Sequence, residues 1–179
     1  MSMQVIIVVP HDVNWAAAFK VASLDVASAL GDNLLAIHHI GSTAIPGIHA
    51  KPIIDMLPVV ADLAAVDTQT LPLAALGYTG RGEFGIPGRR YFVRSDATGA
   101  RTHQMHVFQR GSAHIGRHLA FRDFLRAHPH VASEYSDLKR RLAAAHSDDI
   151  EAYMDGKDGF IKQVEADALC WINAREVNA

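Results

Sequence analysis

The pattern of apolar and polar positions predicts strands in the first two thirds of the chain and helices in the last third. Trp15, Phe19, Ala22 and Val26 recur at helical spacing, which predicts a first helix that ends at Gly31. Short runs rich in β-branched and aromatic residues predict strands. In chain order, these runs lie near residues 4–9, 34–40, 52–59, 78–81, 89–94 and 102–108.

The helical period continues from Ser112 to the end of the chain. We expect Ser112 to cap one helix, Pro129 to open the next, and Asp148 or Asp149 to begin the last. Strands that cluster first and helices that cluster last are typical of the α+β class. The prediction is a mixed β-sheet with helices packed mainly on one face and a helical C-terminal third.

Length and composition are typical of one globular domain over residues 1–179. The apolar run Val5–Val9 is too short for a signal peptide and lacks a basic flank. No stretch reaches the roughly 20 apolar residues of a membrane span. The single cysteine excludes an intramolecular disulfide, which is typical of a reducing compartment. The sequence therefore predicts a cytoplasmic protein without membrane contact.

Charge is distributed unevenly along the chain. The formal net charge of −2 gives no general attraction to nucleic acid. Arginines nevertheless concentrate between Arg81 and Arg110, a segment with six arginines and only two acidic residues. No basic and aromatic run typical of a nucleic-acid surface is found in the sequence. A small phosphorylated ligand is therefore favoured over nucleic acid as a partner.

The segment from His38 to Asp55 carries the clearest functional pattern. An apolar strand runs into Gly41-Ser42, and a second apolar strand contains Asp55. Backbone N–H groups at a glycine turn, together with a serine hydroxyl, can hold a phosphate. A carboxylate within an apolar strand is costly to bury unless it is paired or binds a metal. Asp55 is therefore the leading catalytic candidate, and Gly41 and Ser42 are ligand-binding candidates.

This spacing resembles the signature of the nucleotidyltransferase (polymerase-β-like) superfamily. The longer strings H-I-G-S-T-A-I-P-G at residues 39–47 and A-K-P-I-I-D at residues 50–55 resemble the GrpB family, a branch of that superfamily. Further resemblance covers nearly the whole chain, at residues 10–15, 85–93, 101–108, 117–129 and 153–157. The resemblance implies a nucleotidyltransferase-like fold and a site for a nucleotide or a small phosphorylated metabolite.

One position departs from the superfamily pattern. A second acid usually follows two residues after the first, so that both carboxylates hold two Mg²⁺ ions, but here that position is Leu57. His103 and His106 lie where a third carboxylate is expected. His106 is a catalytic candidate that could share a divalent metal with Asp55, with Mg or Mn ahead of Zn; the alternative is a hydrogen bond to Asp55. His103 points to the other strand face and is a ligand-binding candidate.

Basic residues supply further anion-binding candidates. Lys51 opens the strand that carries Asp55, and Arg89 and Arg90 follow a Gly-Ile-Pro-Gly turn. Guanidinium groups bind phosphate through paired hydrogen bonds. Neighbouring residues on a strand point to opposite faces, so only one of these arginines can face the pocket, and the sequence does not choose between them.

Two helical patterns favour a structural role. Tyr153 and Lys157 are one turn apart, which is typical of packing. A cationic stripe with a spacing of four residues is typical of a solvated face. It consists of His114, His118, Arg122 and Arg126.

Three functions follow from these patterns. In the first, a nucleotidyltransferase-like enzyme holds a triphosphate at Gly41-Ser42, and Lys51 and one arginine neutralise its charge. The second is a catalytically silent binding or protein-interaction module; the resemblance supports it because GrpB-like domains also occur fused to dephospho-CoA kinase. The third, a metal-dependent hydrolase using Asp55 and histidine ligands, ranks behind both.

Overall fold

A computed structural model describes residues 5–177 and confirms the α+β prediction. The helices are α1 (Asn14–Leu30), α2 (Leu63–Thr68), α3 (Thr70–Ala75), α4 (Ala113–Ala127), α5 (Pro129–Ala145) and α6 (Ile150–Val177). The strands are β1 (Leu34–Ile40), β2 (Ile54–Val60), β3 (Tyr78–Gly80), β4 (Arg89–Ser95) and β5 (Arg101–Gln109). No helix within residues 5–177 is both long and apolar enough to cross a membrane.

The five strands form one mixed sheet in the order β1-β2-β5-β4-β3. Strands β2 and β5 are parallel, and the other neighbouring pairs are antiparallel. Asp55 lies opposite Ile40 on β1 and opposite Gln104 on β5. Because Gly41 directly follows Ile40, this register places the Gly-Ser turn beside the Asp55 carboxylate.

The two faces of the sheet are covered differently. Helices α1, α2 and α3 pack on one face, where side chains such as Val26, Met56 and Met105 form the largest core. On the other face Leu57 and Phe108 are buried beside α4. Helices α4, α5 and α6 form a bundle with its own apolar core, which confirms the predicted helical C-terminal third. Part of the second face therefore opens into a space between sheet and bundle.

The predicted helix starts are confirmed by their capping contacts. The Ser112 hydroxyl accepts a hydrogen bond from the backbone N–H of His114 at 3.4 Å, and Pro129 occupies the first turn of α5. Asp149 accepts from the N–H of Ala152 at 3.0 Å at the start of α6. These side chains satisfy N–H groups that a helix start leaves without intrahelical partners.

The predicted N-terminal strand is wrong in the described residues. Gln4 lies outside them, and between Val5 and Val9 the structure has only an isolated bridge from Val9 to Ala50. The N–H of Ile6 donates instead to the carbonyl of Ser147 at 2.7 Å. The β-branched residues of this segment predicted a strand, but its described part, residues 5–9, contacts two loops and joins no strand of the sheet.

The cationic stripe on α4 differs from a solvated face. Arg122 Nη1 donates to the carbonyl of His39 at 3.0 Å, and Arg126 Nε donates to the carbonyl of Ala44 at 2.8 Å. Both contacts tie α4 to the end of β1 and to the turn that follows it.

Candidate phosphate-binding site

The Gly41 turn lies directly against Asp55. Gly41 has a φ of 70° and a ψ of −173°, a conformation essentially restricted to glycine. A β-carbon at this position would overlap Asp55 Oδ2 and would lie 3.0 Å from the Asp55 β-carbon. Glycine is therefore required here both by backbone conformation and by the close approach of the carboxylate.

Hydrogen bonds fix the turn to the start of β2. Residues Ser42–Ala44 form a 3₁₀ turn, and the buried Thr43 hydroxyl donates to the carbonyl of Ile53 at 3.1 Å. His39 Nε2 lies 2.9 Å from the same hydroxyl. Burial, with Arg126 and Arg122 nearby, lowers the pKa of His39 to about 4, so this ring is neutral and serves as a structural partner. These contacts fix the turn that carries Ser42.

A cavity of about 230 Å³ opens beside this turn, and we call it the lysine cavity. Strand and turn residues form one side, and helices α5 and α6 form the other. The residues that define it are Gly41, Ser42, Thr43, Lys51, Ile53, Asp55, Gln104, Tyr135, Lys139, Tyr153, Met154 and Lys157.

Three ammonium groups surround the two tyrosine rings of the lysine cavity. Lys139 Nζ lies 4.4 Å from the centre of the Tyr135 ring. Lys157 Nζ and Lys51 Nζ lie 4.3 Å and 5.0 Å from the centre of the Tyr153 ring. Cation–π attraction supports each ammonium group but leaves its N–H donors available.

The protein offsets the charge of the lysines only in part: Asp55 favours the charged forms of Lys51 and Lys157 but raises each pKa by less than burial lowers it. Among residues 5–177 none of the three forms a salt bridge, and Lys139 Nζ is buried without a hydrogen-bond partner. Burial and the nearby Lys157 lower the pKa of Lys139 to about 7, while burial and Lys51 lower the pKa of Lys157 to about 8. Burial, and then Arg101, also lower the pKa of Lys51. A buried cation without a partner is costly, so an anionic ligand would stabilise this arrangement.

Polar groups on the neighbouring strand surround Asp55. In the amide orientation that satisfies hydrogen bonding, Gln104 donates to Asp55 Oδ1 at 3.1 Å and accepts from Arg101 at 3.3 Å. His106 Nε2 lies 3.8 Å from the same carboxylate oxygen. The Tyr135 hydroxyl hydrogen-bonds Ser42 from the helical side, and burial raises the pKa of Tyr135 to about 12.

The guanidinium of Arg89 fixes the orientation of His106. Arg89 is 6 % exposed, and its Nη1 lies 3.2 Å from His106 Nδ1. Because arginine only donates, Nδ1 must accept, and the proton of the neutral ring lies on Nε2, facing Asp55. Arg89 also donates to the carbonyls of Glu83 at 3.1 Å and Phe84 at 2.6 Å. Arg89 thus lies on the pocket side of β4, but its donors already have partners within the protein.

The donor set does not fit a two-metal site. Asp55 is the one carboxylate of the lysine cavity, Leu57 is fully buried, and His106 presents an N–H where a metal ligand needs a lone pair. Across residues 5–177 no group of three or more His, Cys, Asp or Glu side chains is placed to hold an ion. The predicted sharing of a metal by Asp55 and His106 is therefore not supported by the local hydrogen bonding.

A second cavity of about 240 Å³ adjoins the first across Asp55. It shares Gly41, Asp55, Gln104 and Tyr135 with the lysine cavity. Its far wall contains His118 and the ion pair of Arg117 with Glu165. Burial lowers the pKa of His118 to about 4, so this ring is neutral. The Asp55 carboxylate is therefore reached from two connected spaces.

Two predicted ligand-binding residues lie away from this region. Arg90 is on the opposite face of β4, where Nε donates to Asp67 at 2.7 Å. His103 is on the corresponding face of β5, where Arg94 Nε donates to its Nδ1 at 3.2 Å. The period of two along a strand separates both from Asp55. Gly41, Ser42, Lys51, Asp55 and His106 are brought together as the sequence predicts.

The residues of α5 and α6 that line the lysine cavity were not predicted from the sequence as site residues. Lys139 was not singled out, and Tyr153 and Lys157 were assigned to packing. A signal was present, because Tyr135 and Lys139 are one turn apart on a buried helix face, as are Tyr153 and Lys157. A lysine on such a face needs a partner, and the sequence shows none at helical spacing.

Comparisons with known proteins show which sequences and folds this chain is similar to. The family model described as GrpB protein matches residues 5–167. The UPF0157 protein YqkA of Bacillus subtilis is 45 % identical over 168 residues, which is 94 % of this chain and 48 % of that protein, so the chain spans about half the length of this relative. The crystal structure of the conserved protein GrpB from Enterococcus faecalis superposes with a TM-score of 0.89 at 41 % identity, covering 93 % of this chain and 99 % of that one.

A more distant structure shows the wider fold. Terminal uridylyl transferase 4 from Trypanosoma brucei, solved with bound dUTP, superposes with a TM-score of 0.52 at 13 % identity over 87 % of this chain and 53 % of that one. The fold is therefore similar to that of nucleotidyltransferases. With a family model that spans most of its length and a homologous structure that covers nearly all of it, this chain belongs to the GrpB family.

Proposed function

We propose that this protein binds the phosphate groups of a nucleotide, or of a smaller phosphorylated ligand, in the lysine cavity. The observation that carries the proposal is the buried Lys139 ammonium group, which has no hydrogen-bond partner within the described part of the chain and lines the same cavity as the Gly41-Ser42 turn, Lys51 and Lys157. Phosphate oxygens would accept from these ammonium groups, from the Ser42 hydroxyl and from backbone N–H groups of the turn.

Charge decides where the phosphates lie within the cavity. Asp55 repels an anion at the sheet end, whereas Lys139 and Lys157 attract it toward the helices. The cavity volume of about 230 Å³ is below the roughly 300–1,000 Å³ of pockets that enclose a drug-sized ligand. A short phosphate chain therefore suits the lysine cavity, with the rest of a nucleotide lying outside it.

Binding is better supported than turnover. Two-metal phosphoryl transfer needs carboxylates that bridge the ions, and the second position of the motif is the buried Leu57. His106 is held with its N–H toward Asp55, an arrangement that suits hydrogen bonding to a carboxylate. We therefore propose that this nucleotidyltransferase-fold protein binds phosphorylated ligands without turning them over.

Calorimetric titration with inorganic tripolyphosphate and with nucleoside triphosphates tests the proposal. Wild-type protein should bind, and Lys139→Met or Lys157→Met should weaken binding by roughly 1.5–3 kcal/mol, the range for charge-assisted hydrogen bonds. Lys20→Met is the matched control, because Lys20 is exposed on α1. Circular dichroism would check that each variant is folded.

Two results would contradict the proposal. One is wild-type protein that releases no heat with any of these ligands at neutral pH and low salt. The other is a folded Lys139→Met variant that binds tripolyphosphate as tightly as the Lys20→Met control.

A further inference from the structure

An exposed aromatic side chain marks the loop between β3 and β4. Phe84 is 65 % exposed and has a φ of 47°, a conformation that is unusual for a bulky residue. Arg89 holds this backbone in place through its hydrogen bonds to the carbonyls of Glu83 and Phe84. An exposed aromatic ring on a strained and fixed backbone is a feature that functional sites retain at a cost in stability.

The Phe84 ring is continuous with the Asp55 face of the sheet. It stacks on Tyr91 with ring centres 5.0 Å apart and planes inclined by 23°. The Tyr91 ring in turn contacts that of His106 at 5.2 Å, and His106 faces Asp55. The inner face of Phe84 is therefore occupied by Tyr91, while much of the side chain remains open to solvent.

Guanidinium groups surround this aromatic stack. Arg101 Nη1 lies 3.5 Å from the Tyr91 hydroxyl, and the charges that act on Tyr91 are those of Arg101, Arg89 and Arg81 together with the Asp55 carboxylate. Arg81 is exposed and Arg101 is half-buried. The nearby Glu83 carboxylate accepts from the N–H of Gly88 at 2.7 Å, and its side chain is 53 % exposed.

We infer that Phe84, Arg81 and Arg101 form a binding surface for single-stranded nucleic acid, with a base stacked on Phe84 and phosphates near the two arginines. Exposed aromatic rings beside positive charge are the common device for binding single strands without sequence preference. The net charge of −2 disfavours nucleic acid for the molecule as a whole. This surface, however, is assembled from separate segments of the chain, and its local charge is positive.

The inference goes beyond the proposed function, because it places a second ligand on the face that carries Asp55. It does not depend on the lysine cavity being filled. Binding of an oligonucleotide and binding of tripolyphosphate can be measured separately, so the failure of one leaves the other intact.

Fluorescence anisotropy with labelled 12-nucleotide oligoadenylates, one RNA and one DNA, tests the inference at 50 mM salt. Phe84→Gly should weaken binding of either strand about tenfold or more, although glycine accommodates the positive φ and thermal stability should be unchanged or higher. Phe84→Trp should retain binding because it keeps a stacking surface. Leu71→Ala is the control, since Leu71 is 80 % exposed on α3. In a plot of the logarithm of the binding constant against the logarithm of salt concentration, Arg101→Met should reduce the magnitude of the slope by about one.

Three outcomes would overturn the inference. The first is wild-type protein that binds neither oligonucleotide at 50 mM salt. The second is a Phe84→Gly variant that binds as tightly as wild type. The third is a Leu71→Ala variant that loses as much affinity as Phe84→Gly, because the effect would then be general surface hydrophobicity. Preference for RNA over DNA would identify the 2′-hydroxyl as a further contact.

Discussion

At the scale of single residues, Gly41 and Lys139 contribute to the site in opposite ways. Gly41 permits the turn to contact Asp55, a role that any site on this scaffold would need. Among residues 5–177 the Lys139 ammonium group has no hydrogen-bond or ion-pair partner, only the Tyr135 ring, and it costs stability when charged. A residue that destabilises the empty protein and faces a cavity is better explained by a ligand than by folding.

Replacing Gly41 should separate the cost of backbone strain from the cost of the close contact with Asp55. Gly41→Ala is expected to lower the free energy of unfolding by about 1–3 kcal/mol from backbone strain, with a further cost from the overlap with Asp55. Gly47→Ala is the matched control, because Gly47 also has a positive φ, of 79°, but open space around it. Urea denaturation measures both variants; an equal loss in the two would show that contact with Asp55 adds nothing.

Stability should depend on pH through Lys139. Its pKa of about 7 in the folded protein lies below the value of about 10.4 for an unperturbed lysine, so the unfolded chain binds more protons between these values. The free energy of unfolding attributable to Lys139 therefore rises as pH increases from about 7 to about 10. Lys139→Met should be more stable than wild type at pH 6, and the difference should narrow by pH 9.5.

Urea denaturation of both proteins at pH 6, 8 and 9.5 measures this difference. Lys157 titrates in the same range and lowers the pKa of Lys139, so the same pair of proteins is also compared in a Lys157→Met background, where only Lys139 differs between the two curves. A stability difference that stays constant over this range would mean that the Lys139 ammonium group is solvated and exchanges protons as an ordinary surface lysine does.

At the scale of elements, strand β4 places two adjacent arginines on opposite faces of the sheet, where they make different contacts. Arg89 is buried and donates to two loop carbonyls and to His106. Arg90 pairs with the exposed Asp67 on the other face. The sequence predicted that only one of the two arginines would face the pocket, and it could not choose, because strand alternation gives relative and not absolute orientation.

Mutating the two arginines should have unequal effects on stability. Arg89→Met is expected to cost about 1–3 kcal/mol, because two loop carbonyls and His106 lose their donor. Arg90→Met is expected to cost at most about 1 kcal/mol, the usual worth of an exposed ion pair. Chemical denaturation compares them directly, and proteolysis within the loop at residues 82–88 should increase in Arg89→Met alone. Equal losses of stability in the two variants would argue against the hydrogen bonds of Arg89 as the contacts that fix this loop.

Most elements could be predicted from local pattern, and the exceptions have physical reasons. Helix starts such as Ser112 and Pro129 were predicted because capping is local chemistry. The N-terminal strand predicted at residues 4–9 is absent from residues 5–9, because a strand also needs a partner strand to pair with. The residue types of a segment indicate that it can form a strand, but they do not specify which other strand it would pair with.

At the scale of the whole molecule, the site lies where two separately built layers meet. Gly41, Ser42 and Asp55 come from one strand-turn-strand segment, and their proximity could be predicted because antiparallel pairing brings them together. Lys139 and Lys157 come from α5 and α6, about a hundred residues later in the chain. Their place over the sheet depends on how the bundle packs, which no local pattern encodes.

This two-layer construction explains why the fold was easier to predict than the site. Each layer has its own apolar core and follows from its own periodicity. The lysine cavity exists only once the layers meet, and its positive charge is the sum of groups from both. The central claim is therefore that a phosphate chain occupies the space between sheet and bundle.

A crystal structure of the wild-type protein with a non-hydrolysable nucleoside triphosphate tests this claim most directly. We expect phosphate oxygens within hydrogen-bond distance of the Ser42 hydroxyl and of Lys139 Nζ, with the base outside the lysine cavity. Phosphates bound elsewhere on the protein while Lys139 keeps its buried, unpartnered position would contradict the account.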